Sequence, residues 1–364
     1  MVSQSDSFDV AVVGGGPIGL ACAWRAAQRG ARVVVLDAGE PGAWYVAAGM
    51  LAPVSEAEFG ERALLELGLE SASRYAAFCA ELEEPGYRGV GTLVVARDRD
   101  EAEALDRLAA FRTGLGMPVE RLRPTQARAL EPALAPTVRL ALDIPSDHSI
   151  DPRKLVTALA RKCEVRRARV TRLDVSGERV TGVIADGERI SAGAVVVAAG
   201  VDVARLGMPD HARVPVRPVK GVVLRLRGDA SLVSRTIRGA DAYFVPRGDG
   251  RYVLGATMEE RGWDTTPTAG GVYELLRDIG EVVPGVFELE IEQLIAGLRP
   301  ATPDNLPAIG PGALDGLVWA TGHFRNGILL TPVTADLVAA VLAGEALPEF
   351  AAAADPLRFA GVPA

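Results

Sequence analysis

The stretch FDVAVVGGGPIGLACAW, residues 8–24, decides the fold. Phe8 to Val13 is a short apolar run of strand type, Gly14 to Gly19 is a glycine turn, and a helical pattern follows to about Gln28. Arg32 to Leu36 is then a second strand, apolar throughout as a parallel strand covered on both faces must be, and it ends at Asp37. The order is strand, helix, strand. Within Gly14-x-Gly16-x-x-Gly19 the first glycine permits the tight turn, the second lets backbone approach a pyrophosphate, and the third lets the helix pack close to the sheet. The helix start offers free N–H groups to an anion, and Asp37 is placed to accept hydrogen bonds from a ribose diol. In a chain with 40 glycines the spacing alone is weak, and its position between the two strands gives it meaning. The motif does not distinguish FAD from NAD.

The rest of the composition narrows the chemistry. With 364 residues, 49% hydrophobic and 24% charged, the chain can bury a large core without staples, and a wholly disordered or fibrous protein is excluded. A balance of 47 acidic to 39 basic residues, formal net charge −8, repels phosphate backbones and anionic lipid, so neither nucleic acid nor a membrane is expected as a partner. Cys22, Cys79 and Cys163 have no metal-binding or dithiol spacing, and a reducing cytoplasm is expected. Residues 1–9 lack the pattern of a secretory signal, and no apolar run reaches the ~18 residues of a membrane span. The signatures HExxH, GxSxG and GxxxxGK[ST] are missing, no metal site is expected, and the chemistry is assigned to an organic cofactor. His148 and His211 receive no role.

Further along, Glu61 to Glu84 reads as a long helix and Gly89 to Ala96 as a strand. Asp151 and Pro152 mark a helix start over 151–163, and Val165 to Val175 with Val180 to Ile184 form an expected hairpin about Ser176-Gly177-Glu178. Ala194 to Ala198 is a buried parallel-type strand leading into Ala199-Gly200, with Gly200 counted among the cofactor contacts. From Val214 to about Glu292 the pattern changes to alternating strands: Gly221 to Leu226, Ala242 to Val245 and Tyr252 to Ala256. Gly316 to Thr321 is a last strand, followed by a helix to about Leu342 and a frayed tail over Ala351 to Ala354.

The expected class is α/β: a Rossmann-type dinucleotide domain interleaved with an α+β substrate domain containing a mostly antiparallel sheet. The first takes residues 1–85, 141–213 and 296–350, the second 86–140 and 214–295, and 351–364 is a tail.

Small-residue turns at Ala47-Ala48-Gly49-Met50-Leu51 and Gly322-His323-Phe324-Arg325-Asn326-Gly327 would let backbone pass close to a flat ring system. Together with Gly14 to Gly19, Gly255-Ala256-Thr257-Met258, Gly297-Leu298-Arg299-Pro300 and the run HFRNGILLTPVTA (residues 323–335), they resemble, in order along most of the chain, the glycine oxidase branch of the D-amino-acid oxidase family. That resemblance implies FAD, oxidation of a small amino acid to an imine with peroxide release, and a role in making the thiazole of thiamine. It implies Pro17 and Ile18 at the pyrophosphate, Asp37 and Ala38 at the ribose, Ala48, Gly49 and Met50 along the cofactor, and Val170 at the adenine. His323, Phe324, Arg325, Asn326, Gly327, Ile328 and Leu329 would line the isoalloxazine. Arg299 and Arg325 would bind the substrate carboxylate, Tyr243 cover it, and Met258 form part of the apolar wall; no side chain is a catalytic base, since flavin N5 accepts the hydride. A homotetramer and a thiazole synthase partner are further implications.

The chain departs from the family in three places. Asp37 stands where Glu is usual, Trp44, Tyr45 and Val46 replace small hydroxyl residues, and Asp241 replaces a polar aromatic residue of some relatives. From the residues themselves, Arg325 is the first choice for a two-pronged grip on a carboxylate, with a structural ion pair as its alternative, and Arg299 is the second. Oxidation of sarcosine or a small D-amino acid, an NAD-dependent dehydrogenase, and a flavin module serving RNA modification are the other readings.

Overall fold

The computed structural model describes residues 7–361. Strand β1 (Ser7–Val13), helix α1 (Pro17–Gln28) and strand β2 (Val33–Asp37) form the expected unit, with β1 and β2 parallel and Val10 to Val13 beside Val33 to Leu36. On the other side of β1 runs the parallel strand Glu188–Val197, whose C-terminal half also pairs in parallel with Leu317–Thr321. Val165–Arg167 closes the parallel set beside β2. Alternate residues of these strands serve two cores. Val10, Val12, Val35 and Val196 meet α1 and the helices Arg62–Ala80, Pro152–Ala160 and Thr331–Leu342, while Ala11, Val13, Val34, Leu36, Val195 and Val197 face Leu173, Val180 and Val183.

A second eight-stranded sheet carries the other layer. Its pairs are antiparallel except Thr236–Arg238 against Thr92–Ala96, so the mostly antiparallel expectation is met. Three short strands, Met50–Leu51, Tyr87–Arg88 and His148–Ile150, make a third, small sheet.

Several elements differ from the sequence reading. The supposed strand Val165 to Val175 is two: Val165–Arg167 joins the parallel sheet, and only Val170–Ser176 makes the hairpin with Arg179–Ala185. Leu140–Ile144 lies in the second sheet, beyond the expected change at residue 140, and Glu290–Ala301 runs through the expected change at 295. The all-strand region contains a helix, Ala269–Gly280. The tail is not frayed at Ala351 to Ala354, because Glu349–Ala354 is a 3-10 turn that buries Ala351 and Ala354. The helix start at Asp151 is as expected, its side chain accepting from the Arg153 N–H at 3.0 Å.

Candidate functional site

A cleft of about 1060 Å³ opens where the parallel sheet, the second sheet and the 322–328 turn meet. This is at the upper end of the ~300–1,000 Å³ usual for a small-molecule or cofactor site. Its floor is the glycine turn. Gly14 has φ +107, and a Cβ on it would lie 2.4 Å from the Ala198 carbonyl oxygen, so only glycine lets β1 and the strand ending at Val197 come together there. Gly19 serves packing, since its Cβ would stand 2.0 Å from the Gly14 oxygen. α1 begins with Gly16 as N-cap and Pro17 in its first turn, and carries no acidic residue there, so its positive end is open to an anion. Asp37 receives the Gly15 N–H on Oδ2 at 2.5 Å and the Gly39 N–H on Oδ1 at 2.7 Å, which fixes its carboxylate beside the turn.

Ala48 to Met50 cross the cleft in a conformation set by Gly49, at φ +76, where a Cβ would fall 2.0 Å from the Ile150 oxygen. Arg247, 8% exposed, ties this segment down by donating to Ile150 O at 2.9 Å and Ala48 O at 2.7 Å. Burial pushes its pKa down to about 10. Sequence reasoning missed Arg247, which carries no motif; it also missed Gly15, which lines the cleft. The Trp44-Tyr45-Val46 departure has a packing account. Val46 fills the space over Gly297, where a Cβ would meet Val46 Cγ2 at 2.5 Å, and Tyr45 stacks beneath the Arg153 guanidinium at 3.5 Å. Trp44 lies over Gly16, at 3.4 Å from where a Cβ would be, and lines the cleft.

The 323–330 turn is anchored from below by Tyr75, donating to Ile328 O at 2.5 Å, and Ser71, donating to Leu329 O at 2.6 Å, both on the helix Arg62–Ala80. His323 is 4% exposed, shares a 2.9 Å hydrogen bond with Thr334, and is pushed down to about 3 by burial, so it stays neutral at ordinary pH.

Arg299 projects from the strand Glu290–Ala301 and donates to the carbonyls of Lys220 and Thr257, each at 3.1 Å. Among the described residues it has no carboxylate partner. Tyr243 lies beside it; burial raises the phenol's pKa, with Arg299 opposing. Lys220, almost fully buried, pairs with Glu259 at 3.1 Å and donates to Thr266 O at 2.6 Å, which holds the segment carrying Thr257 and Met258. Met258 is 64% exposed and sits at the rim. Arg325 pairs with Glu61 at 3.1 Å.

Of the residues singled out in the sequence, Gly14, Gly16, Pro17, Ile18, Asp37, Ala38, Ala48, Gly49, Met50, Val170 and Gly200 line this one cleft. So do His323, Phe324, Arg325, Gly327 and Ile328, with Arg299, Tyr243 and Met258, and Asp241 borders it too. Gly19, Asn326 and Leu329 do not line it. Asn326 and Leu329 face a much smaller pocket under the turn. Among the described residues no cluster of His, Cys, Asp and Glu could hold a metal ion, and no helix is long and apolar enough to cross a membrane.

A glycine turn at an acid-free helix start, a fixed Asp at the end of the second strand and a long cleft past two small-residue segments suit a dinucleotide carrying a broad ring. The family model described as FAD dependent oxidoreductase matches residues 9–341, and the chain belongs to that family. It is therefore an FAD-dependent oxidoreductase, which decides between the two dinucleotides that the motif left open. The chain is 35% identical to the glycine oxidase of Geobacillus kaustophilus (strain HTA426) over 350 residues, covering 91% of this chain and 92% of that one. It is 33% identical to the bifunctional protein ThiO/ThiG of Synechocystis sp., over 96% of this chain and 54% of that longer protein. The crystal structure of glycine oxidase from Geobacillus kaustophilus superposes with a TM-score of 0.91, at 33% identity and with 97% and 99% of the two chains covered.

Proposed function

We infer that this FAD-dependent enzyme oxidises the amine of glycine, and of sarcosine or small D-amino acids to a lesser degree. Glycine, dioxygen and water would yield glyoxylate, ammonia and hydrogen peroxide. The observation that carries this reading is Arg299. Its guanidinium is held by two backbone carbonyls, has no carboxylate of its own among the described residues, and faces the cleft beside Tyr243. Such a group pairs with a substrate carboxylate by charge-assisted hydrogen bonds that fix both position and rotation.

FAD, when bound, supplies the two-electron acceptor for this reaction and passes the pair to dioxygen. The chain supplies orientation. Gly14, Gly16 and the start of α1 would receive the pyrophosphate, and Asp37 has lone pairs left for the ribose hydroxyls. Arg299 would hold the carboxylate and Tyr243 cover it, so that the Cα–H is presented to the cofactor in the same cleft. Neutral, buried His323 would shape the 322–328 turn rather than accept a proton.

The similarity to a bifunctional ThiO/ThiG protein supports a thiazole synthase as partner. A role in thiamine biosynthesis, a cytoplasmic location and a homo-oligomer belong to the same proposal. The test is peroxide release by the flavin-bound protein with glycine, sarcosine, D-alanine and D-proline. The largest kcat/KM is expected for glycine, and no turnover with any of the four would reject the reading.

A further inference from the structure

Arg299 and Arg325 both line the cleft from neighbouring pieces of backbone, and Arg325 also borders, with Glu61, the small pocket under the turn. Arg299 and Arg325 lie on segments joined by the Phe324 N–H, which donates to Pro300 O at 2.8 Å, and by a bridge between Ala301 and His323. They are in different electrostatic states. Arg299 has no carboxylate among the described residues, whereas Arg325 Nη2 is paired with Glu61 Oε2 at 3.1 Å.

Glu61 occupies the N-cap of the helix Arg62–Ala80, yet its side chain makes no capping hydrogen bond there; the carboxylate is given to Arg325 instead. The segment leading to it is pinned. Val54 and Ser55 donate their N–H groups to the fully buried Asp147 at 3.1 and 2.6 Å, Arg112 donates to Ser55 O at 2.7 Å, and Glu56 pairs with Arg238 at 2.7 Å. Beyond that stretch Glu61 reaches Arg325 through its carboxylate. At 29% and 37% side-chain exposure the pair meets solvent, so an incoming anion can compete for Arg325.

Resting on the amino-acid oxidase reading above, we propose that Glu61 is a specificity-determining residue. It draws the Arg325 guanidinium to itself, leaves Arg299 as the open anchor beside Tyr243, and thereby confines the site to amino acids with one carboxylate. The class it keeps out is the N-carboxyalkyl amino acids, whose second carboxylate would otherwise pair with Arg325. A ligand of that class must displace Glu61 and leave it without its cation, whereas a monocarboxylate leaves the pair intact.

The experiment compares flavin-bound wild type with Glu61→Gln, using glycine and iminodiacetate as substrates. The ratio of kcat/KM for iminodiacetate to that for glycine is expected to rise tenfold or more in Glu61→Gln and to stay near the wild-type ratio in Glu61→Asp. In Glu61→Gln/Arg325→Gln the gain should vanish. An unchanged or lower ratio in Glu61→Gln, or a gain that survives removal of the Arg325 charge, overturns the proposal. A second readout needs no turnover: titration of flavin absorbance with malonate and with acetate. Malonate should bind at least tenfold more tightly to Glu61→Gln than to wild type while acetate changes far less; equal changes for both anions also overturn it. Should every protein retain flavin and oxidise neither amino acid, the oxidase reading fails, and the two titrations still decide whether Glu61 masks Arg325.

Discussion

The guanidinium of Arg299 lies flat against the backbone of Gly221: a Cβ there would fall 2.3 Å from Nη2 and 2.4 Å from Nη1. The atom in the way is the end of a flexible side chain, so Gly221→Ala is expected to push the guanidinium aside and leave the sheet intact. KM for glycine should rise about tenfold or more, as expected for loss of a charged hydrogen bond of ~1.5–3 kcal/mol, with flavin content unchanged. Arg299→Lys should do the same, because an ammonium cannot make two parallel bonds. Steady-state kinetics at matched flavin content check both, and an unchanged KM in both would remove Arg299 from the site.

Gly14→Ala addresses the cofactor rather than the substrate. Its Cβ would meet the Ala198 oxygen at 2.4 Å, and the residue would be strained at φ +107. The purified variant is expected to lose most of its flavin, read as the ratio of visible to ultraviolet absorbance. Full retention would mean that the turn does not carry the dinucleotide.

Trp44 offers a spectroscopic handle. Trp24 and Trp319 lie in the core and Trp263 sits beneath Arg205, whereas Trp44 lies over Gly16 in the cleft. Adding FAD to apoprotein should quench tryptophan emission, and Trp44→Phe should remove most of the quenched component and weaken FAD binding severalfold. Equal quenching in wild type and variant would place the dinucleotide away from Trp44.

His323 predicts a pH dependence of stability. Its folded pKa is pushed from 6.5 to about 3 by burial, so the unfolded chain binds a proton that the folded chain refuses. Its contribution is fully present above pH 6.5 and is lost as the pH falls from there toward 3. His323→Gln, which can still hydrogen-bond Thr334, should show a shallower fall in melting temperature between pH 7 and pH 5 than wild type. Parallel curves would contradict the burial argument.

The parts of the molecule legible in the sequence are those whose signal is local. β1, α1 and β2 announce themselves through two apolar strands about a glycine turn, and the Asp151-Pro152 start through its cap. Val165–Arg167 was not separable from the hairpin because Val-Arg-Arg is an edge strand without the apolar run of its parallel neighbours. Glu290–Ala301 hid behind a glycine and a proline, and Ala269–Gly280 behind glycines at both its ends. In the site, the cleft-lining glycines could be read from spacing. The pairing of Arg325 with Glu61 could not, since 264 residues separate them and only the folded chain brings them together.

The strand Leu317–Thr321 completes the parallel sheet beside Glu188–Val197, and the turn after it lines the cleft that begins at Gly14. A nascent chain leaving the ribosome therefore carries the phosphate-binding end of its pocket long before the opposite wall exists. Prosthetic-group capture must wait for nearly the whole polypeptide to emerge, so truncation anywhere before the last strand should yield an empty, protease-sensitive product rather than a weak binder.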